Sequence, residues 1–349
     1  MNQSQGWRST GKLLKQLLNY ADCCSLHRCK HRVQPPVHML KALFHSSHGR
    51  KLHAACKLET RGVVRVSGSD SWQFLQGLVT NDVEQLAQQS PGVQYNMMLN
   101  SQGRVLYDLF LYNITYKCKT PTLLVDVDST AKDEIIKILK RYKLRKKVDI
   151  SDASDSYKVW ATWNHHATSP QEVQQDTPTL TFHDPRVPML GNRIVTEQDN
   201  LFSEAEKSTE RDYRIHRYKW GVPEGVLDLP PGNCFPLESN LAFMNGVNFQ
   251  KGCYIGQELT ARTFHTGVTR KRLMPIELDQ SVTVNPDVTI STKASGKSAG
   301  KFRSSEGQFG LGLLRMELIE ENLGVTALDG QFIHVKVHLP GWWPTTKTN

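Results

Sequence analysis

The residues with the clearest chemical potential lie in one stretch of eight, from Lys251 to Glu258, whose sequence is KGCYIGQE. Its centre is Cys253, a single cysteine between Gly252 and Gly256. Glycines allow turn conformations and close approach by another molecule. A nearby lysine favours the thiolate form of a cysteine, whereas the glutamate at the end of the stretch opposes it. The stretch therefore predicts an accessible, activated thiol, and the alternative is an inert buried cysteine.

The remaining cysteines suggest no disulfide framework. The chain has seven cysteines, an odd number at scattered positions, which is untypical of a small secreted protein and favours a reducing compartment. Cys56, Cys118 and Cys234 show no spacing that is typical of metal ligands. Cys253 is thus the cysteine to which the sequence assigns chemistry.

The elements that must position this thiol are strands and helices in mixed order. Strand patterns cover 95–99 and 104–112, with a turn at 100–103 between them. Asp70 and Thr130 are expected to cap helices, and 211–220 is a further helical pattern. This order predicts an α+β fold.

The C-terminal pattern differs, because short strand-like runs alternate with turn residues at 273–278, 282–290, 298–302, 309–314 and 332–337. Such runs predict a small antiparallel β-barrel or sandwich. The predicted organisation is a leader at 1–55, an N-terminal α+β domain at 56–150, a middle α+β region at 151–268 that ends in the KGCYIGQE stretch, and a C-terminal β-barrel at 269–345.

The positive charge is concentrated in the leader. The formal net charge is +9, but residues 1–50 hold eight Lys or Arg and one acid, so residues 51–349 carry only +2. A basic, acid-poor, amphipathic N-terminus predicts a mitochondrial transit peptide and the matrix as destination; the alternative is a disordered basic tail on a cytosolic protein. No apolar run is long enough for a membrane span, and no nucleic-acid motif accompanies the basic run at 137–147. We therefore expect neither a membrane nor a nucleic acid as partner.

The stretch from Lys251 to Glu258 matches the KGCYxGQE motif of the YgfZ-like family, a branch of the folate-binding aminomethyltransferase family of the glycine-cleavage T-protein. The segment 236–246, PLESNLAFMNG, resembles the same family, and the likeness covers roughly residues 58–345. With its leader, the chain resembles the mitochondrial iron–sulfur cluster assembly factors of this branch. The resemblance implies three domains in a ring around a folate-sized channel, with the β-barrel as the third.

The resemblance also implies candidate folate-binding residues. The segment 103–108 aligns with a G-x-x-x-D-D stretch of the T-protein, in which Asp108 keeps the acidic position. By strand alternation Asp108 shares a face with Phe110, so burial among apolar residues should raise its pKa; the alternative is an edge-strand aspartate that faces water. Arg217 and Glu238 resemble further T-protein residues, or form structural ion pairs. The T-protein's pterin-gripping G-E-x-G-[FY]-E stretch has no clear equivalent, which disfavours aminomethyl transfer.

The function implied by the family is assembly without catalysis. An iron–sulfur cluster normally takes four protein ligands, mostly thiolates, so Cys253 would be one metal ligand of a [2Fe–2S] cluster shared with an A-type carrier protein. The protein would then support [4Fe–4S] clients such as aconitase-like and radical-SAM enzymes, and through them heme and lipoate synthesis. The motif residues that would support this role are Lys251, Gly252, Tyr254, Gly256, Gln257, Glu258 and Arg262, the last through an ion pair with Glu258.

Two enzymatic hypotheses stand beside this one. Tetrahydrofolate-dependent one-carbon transfer would use Asp108 as a general base. Thiol redox or nucleophilic catalysis at Cys253 would need a base, for which His216 and His265 are the candidates.

Overall fold

The structure, a computed structural model, describes residues 53–164, 179–203 and 207–344. The predicted transit peptide at 1–55 lies outside these residues, except for its last three positions. Within the described part of the chain, no helix has the length and apolar character needed to cross a membrane.

The first sheet has five antiparallel strands in the order β3-β4-β5-β2-β6. Its strands are Arg61–Ser67 (β2), Gly92–Leu99 (β3), Val105–Asn113 (β4), Thr122–Asp128 (β5) and Asp149–Asp152 (β6). One face packs on three helices through apolar side chains such as Phe74, Leu86 and Ile135. These helices are Ser71–Gln76 (α1), Val83–Ala87 (α2) and Lys132–Lys143 (α3). The basic run at 137–147 falls on the end of α3 and beyond, where basic side chains favour the negative pole of the helix dipole.

The second sheet has four antiparallel strands in the order β1-β7-β9-β8. They are His53–Lys57 (β1), Lys158–Asn164 (β7), Leu180–His183 (β8) and Asn192–Thr196 (β9). The inner face of this sheet and the free face of the first sheet contribute to one core, which joins Phe110 and Tyr112 to Trp163 and Val195. Three helices follow, Glu210–Lys219 (α4), Gly225–Asp228 (α5) and Gln257–Thr266 (α6).

The C-terminal strands close into a six-stranded antiparallel barrel in the order β10-β13-β12-β11-β14-β15. They are Lys271–Leu278 (β10), Thr289–Thr292 (β11), Ser298–Glu306 (β12), Phe309–Arg315 (β13), Leu323–Thr326 (β14) and Phe332–Val337 (β15). Side chains such as Ile276, Phe302 and Val325 fill its interior. The predicted α+β fold with a C-terminal antiparallel β-barrel is confirmed.

Asp70 holds the N-cap position of α1 as predicted, but neither Asp70 nor Thr130 caps its helix through its side chain. The carboxylate of Asp70 does not cap α1; it accepts hydrogen bonds from the Lys147 backbone amide (2.7 Å) and the Ser69 hydroxyl (3.1 Å). Thr130 does not cap α3 either, because its hydroxyl donates to Asp128 at 2.6 Å and Ala131 occupies the capping position. Both side chains serve neighbouring turns instead of the helix.

Candidate functional site

Cys253 lies on the exposed loop before α6, which confirms the accessible thiol and rules out the inert buried alternative. The other described cysteines are less accessible. Burial raises the pKa of Cys56 to about 12 and that of Cys234 to about 11, and Cys118 is half-buried. In the described part of the chain, Cys253 is therefore the exposed cysteine, and Cys234 does not join it at the surface.

Lys251 anchors the loop to the first sheet's helical layer. Its Nζ atom donates to three backbone carbonyls, those of Gln76 (2.8 Å), Val79 (2.8 Å) and Asn81 (2.6 Å). An ammonium group has three hydrogens, so these carbonyls take all of its donors and leave none for the Cys253 thiolate. Burial lowers the pKa of Lys251 to about 8. The sequence predicted that Lys251 favours the thiolate of Cys253. In the structure Lys251 instead positions the loop.

A second anchor is the close packing of Gly256 against the β3–β4 turn. Gly256 has φ of +79°, and a β-carbon there would lie 2.4 Å from the carbonyl oxygen of Asn100. Gly103, in the same turn, has φ of +75° and packs against Gly256 and Leu259 in return. Gly252 is different, because a β-carbon at that position would meet nothing within 4 Å. The loop therefore needs glycine for steric reasons at position 256 and has open space at 252.

Two hydrogen bonds tie the loop to α6 and to the end of α1. The backbone amide of Tyr254 donates to Oε1 of Gln257 at 3.2 Å, and that of Ile255 donates to the carbonyl of Gly77 at 3.1 Å. The ring of Tyr254 is buried, with the Lys251 ammonium 5.1 Å from its centroid. Cys253 is thus an exposed side chain on a backbone that is fixed on both sides.

The exposed face of α6 carries the expected ion pair. Arg262 Nη1 lies 3.8 Å from Oε1 of Glu258, one turn away on the helix, and both side chains are largely exposed. Such a pair contributes about 0.3–0.5 kcal/mol.

Of the two candidate bases, His265 packs edge-on against Phe264, whereas His216 stacks on Trp163 at a ring separation of 5.3 Å. His265 therefore lies on α6, and the ring of His216 lies against Trp163 of β7.

Asp108 lies in a different part of the molecule, inside a buried network of arginines and carboxylates. The network includes Arg61 Nε with Asp126 Oδ1 (2.6 Å), Arg193 Nη2 with Asp126 Oδ2 (2.7 Å), Arg193 Nη1 with Glu224 Oε2 (3.0 Å) and Arg186 Nη2 with Glu224 Oε2 (2.9 Å). Burial alone would raise the pKa of Glu224, but Arg193 and Arg186 outweigh it and hold that pKa well below its usual range. This network joins β2 and β5 of the first sheet to β9 of the second.

The environment of Asp108 differs from the apolar one expected. Phe110 does share its face, but the nearest charged group is Arg61, whose Nη1 lies 3.7 Å from Asp108 Oδ2. The Gly225 amide donates to Oδ1 at 3.0 Å, and burial raises the pKa of Asp108 as expected. The edge-strand alternative is wrong, because the residue is only 2% exposed.

Among the residues that the structure describes, the buried arginines and carboxyl groups are equal in number. The arginines are five, Arg61, Arg186, Arg193, Arg217 and Arg303, and the carboxyl groups are five, Asp108, Asp126, Asp184, Glu224 and Asp228. Burial raises the pKa of Asp108, and the nearby Arg61 opposes that rise.

The three candidate folate-binding residues lie in two different parts of the structure. Asp108 and Arg217 both contact α5, since Arg217 Nη1 lies 2.8 Å from Asp228 Oδ2 and Asp108 accepts from Gly225. For Arg217 the structural ion pair is therefore present. Glu238 is half-buried beside β10, where its carbonyl accepts from the Leu273 amide.

A small cavity adjoins this network. It has a volume of about 60 Å³ and is lined by residues that include Arg61, Tyr213, Arg217 and Glu224. Pockets for small organic ligands measure roughly 300–1,000 Å³, so this cavity is smaller than a usual ligand pocket.

Sequence reasoning missed most of the network. The residues it did not identify are Arg61, Asp126, Asp184, Arg186, Arg193 and Glu224. A usable signal was a charge inside an apolar strand, as with Asp126 between Val125 and Val127, or Arg193 before Ile194 and Val195. Such a residue is buried only if a partner of opposite charge meets it.

Comparisons with known proteins agree with this architecture. Residues 47–166 match the GCVT N-terminal domain, and residues 270–345 match the CAF17 C-terminal beta-barrel domain. The crystal structure of the glycine cleavage system aminomethyltransferase T from Bartonella henselae is similar in fold, with a TM-score of 0.65 at 13% identity over 84% of this chain and 87% of that chain. Fold and motif together define a T-protein-like protein with an exposed cysteine on a fixed loop.

Relatives with higher sequence identity narrow the class of protein to one family. The iron–sulfur cluster assembly factor IBA57 of Mus musculus is 42% identical over 83% of this chain and 85% of its own length, and that of Homo sapiens is 41% identical over 84% and 86%. The homologue from Mycosarcoma maydis is 35% identical over 82% and 84%. The chain belongs to the IBA57 family of mitochondrial iron–sulfur cluster assembly factors. Its role in iron–sulfur cluster assembly and its mitochondrial localisation follow from this membership.

Proposed function

We propose that the protein holds one edge of a [2Fe–2S] cluster through Cys253 while an A-type carrier protein supplies the remaining ligands. The observation that carries the proposal is the combination of an exposed thiol with a loop fixed by Lys251 and Gly256. A rigid loop presents the sulfur in one position, which suits a ligand that must meet a partner's thiolates.

The donor set supports a shared site. Four protein ligands are normal for such a cluster. Across the ranges 53–164, 179–203 and 207–344, no group of three or more His, Cys, Asp or Glu side chains is placed to hold a metal ion. A single exposed thiolate therefore acts as one ligand among several, and the cluster is cargo that passes on to [4Fe–4S] clients such as aconitase-like and radical-SAM enzymes.

Anaerobic reconstitution with a purified A-type carrier tests this proposal. The wild-type protein with carrier, iron and sulfide should give the visible absorption of a [2Fe–2S] cluster in a complex that contains both proteins. Cys253→Ser should lose the cluster from that complex, whereas Cys118→Ser, at a half-buried cysteine, should keep it. An unchanged spectrum for Cys253→Ser would sink the proposal.

The alternative proposal is tetrahydrofolate-dependent one-carbon transfer. The raised pKa of the Asp108 carboxyl favours it, and the cavity of about 60 Å³ disfavours it. Titration calorimetry with tetrahydrofolate separates the two. Binding that Asp108→Asn weakens would support the alternative, and absence of heat at millimolar ligand would remove it.

A further inference from the structure

The basic run at 137–147 concentrates positive charge on a chain that is otherwise acidic. It holds seven Lys or Arg and no acidic residue. Residues 51–349 carry +2 in all, and these seven charges are part of that total, so the rest of the range carries −5. Among the residues that the structure describes, Lys137 is the member of the run that forms an ion pair, with Glu134 at 3.6 Å. The other six positive charges therefore lack a carboxylate at ion-pair distance within the described part of the chain.

The dipole of α3 explains only part of this run. Lys140, Arg141 and Lys143 lie in the last turn, where positive charge is favourable. The effect falls off within that turn, but three more basic residues follow the helix at 145–147. Lys137, Lys140 and Arg141 are exposed, and their spacing places them on one face of the helix. The run therefore presents a basic surface that continues past the end of the helix.

Two apolar side chains are exposed among these charges. Leu144 is 86% exposed, and Tyr142 is 44% exposed. Leu144 follows the last residue of α3 with φ of +46°, a left-handed backbone conformation that is unfavourable for residues other than glycine. So exposed a side chain gains little from packing, and packing within the fold therefore does not account for a leucine at this position.

A bilayer that contains anionic lipid matches both the charge and the apolar side chains. Clusters of about four to eight Lys or Arg are typical of segments that bind anionic lipid headgroups. Leucine inserts at the boundary between headgroups and acyl chains, and tyrosine is enriched at headgroup level. A nucleic acid would use the charge, but its phosphates offer no apolar contact to Leu144, and no nucleic-acid motif accompanies the run. The exposed leucine therefore favours lipid over nucleic acid.

We propose that the basic run is a peripheral binding site for an anionic phospholipid membrane, with Lys and Arg at the headgroups and Leu144 inserted below them. The proposal does not depend on the cluster role of Cys253. It departs from the expectation, drawn from the sequence, that no membrane is a partner, because that expectation concerned a membrane span and peripheral binding needs none. The same lipid surface repels the acidic remainder of the chain, so the protein should bind with this end of α3 towards the bilayer.

Vesicle flotation of residues 51–349 tests the proposal. The basic leader is left out because it would bind anionic vesicles itself, and residues 51–349 form one compact unit that contains every described helix and strand. At low salt this protein should bind vesicles of phosphatidylcholine with added cardiolipin, and it should not bind phosphatidylcholine alone.

Removal of two charges from the run measures its share of the binding. Lys140→Gln/Arg141→Gln should weaken binding to the cardiolipin vesicles about 30-fold, at roughly fivefold for each charge. Lys297→Gln/Lys301→Gln removes the same charge from exposed positions of the barrel and is the matched control. This control should bind like the wild type, because the barrel lysines lie outside the run.

Leu144→Asn tests the inserted leucine. Asparagine tolerates positive φ, so the fold should be kept, and loss of the apolar side chain should weaken vesicle binding about 10-fold. Leu328→Asn, at a 62% exposed leucine on the barrel, is the control for this change and should bind like the wild type.

Three results would overturn the proposal. The first is a wild type that does not bind the cardiolipin vesicles at low salt. The second is an equal loss of affinity in the two double variants, which would show that only the net charge of the chain matters. The third is full vesicle affinity of Leu144→Asn while an RNA oligonucleotide binds the wild type and not Lys140→Gln/Arg141→Gln, which would assign the run to a nucleic acid.

Discussion

Replacement of Gly256 by alanine should destabilise the protein, whereas the same change at Gly252 should not. At Gly256 the left-handed backbone costs an alanine about 1–2 kcal/mol. The new β-carbon would also lie 2.4 Å from the Asn100 carbonyl oxygen and 2.8 Å from Cβ of Leu99, so the backbone must shift. Overpacking of this kind costs roughly 1–3 kcal/mol. The two costs together give an expected loss of about 2–5 kcal/mol, whereas Gly252→Ala meets open space and should stay within ~0.5 kcal/mol.

Urea denaturation of the two variants, followed by circular dichroism, measures this difference. Both should keep the wild-type m-value, so the shift of the midpoint gives the change in the free energy of unfolding. The reasoning is refuted if Gly256→Ala loses less than ~1 kcal/mol, or if both variants lose the same amount. Because Gly256 fixes the loop, its variant should also form less of the shared cluster at equal folded concentration.

Three further predictions concern titration and reactivity. The Lys251 pKa of about 8 lies below its ordinary value of 10.5, so between these pH values the unfolded chain binds more protons than the folded protein. The free energy of unfolding of the wild type should therefore rise from pH 8 to 10, relative to that of Lys251→Met, in urea titrations. Glu224→Gln should lose ~3 kcal/mol of the free energy of unfolding at pH 7, because Arg186 and Arg193 lie 2.9 and 3.0 Å from Glu224 and each would lose one of its two buried carboxylate partners. Asp108→Asn should lose less, because its ion pair with Arg61 is longer, at 3.7 Å; equal losses in thermal or urea unfolding would contradict this order. Of the four cysteines in the described part of the chain, iodoacetamide should alkylate Cys253 first and reach the buried Cys56 and Cys234 only in urea, as peptide mass spectrometry can follow. Early labelling of the buried pair would speak against their burial.

The sequence allowed correct prediction where local patterns suffice. The hairpin at 95–112 and its turn follow from alternating apolar residues and from Gly103, which has positive φ. The strand predicted at 282–290 is too long and begins too early, because Asn285 and Pro286 interrupt it and β11 covers only Thr289–Thr292. β14, Leu323–Thr326, was missed because its four residues lack a clear alternation.

The candidate site was predictable only in part, for a physical reason. The exposure of Cys253 follows from its glycine-rich surroundings, which are local. The three carbonyls that bind Lys251 lie 170–175 residues earlier in the chain. Arg193 likewise meets Asp126 across 67 residues. Such partners depend on tertiary packing, which a charge pattern along one segment does not contain.

The buried network has a consequence for how the protein unfolds. Arg193 of the second sheet and Asp126 of the first are both fully buried and pair with each other, so separation of the sheets would break this buried ion pair, while Asp126 would keep Arg61 and Arg193 would keep Glu224. Strand β1 adds a covalent constraint, since it precedes the first sheet in the chain but pairs with β7 in the second. The two sheets should therefore melt as one cooperative unit, and amide hydrogens of β5 and β9 should exchange with the same opening free energy in native-state hydrogen exchange.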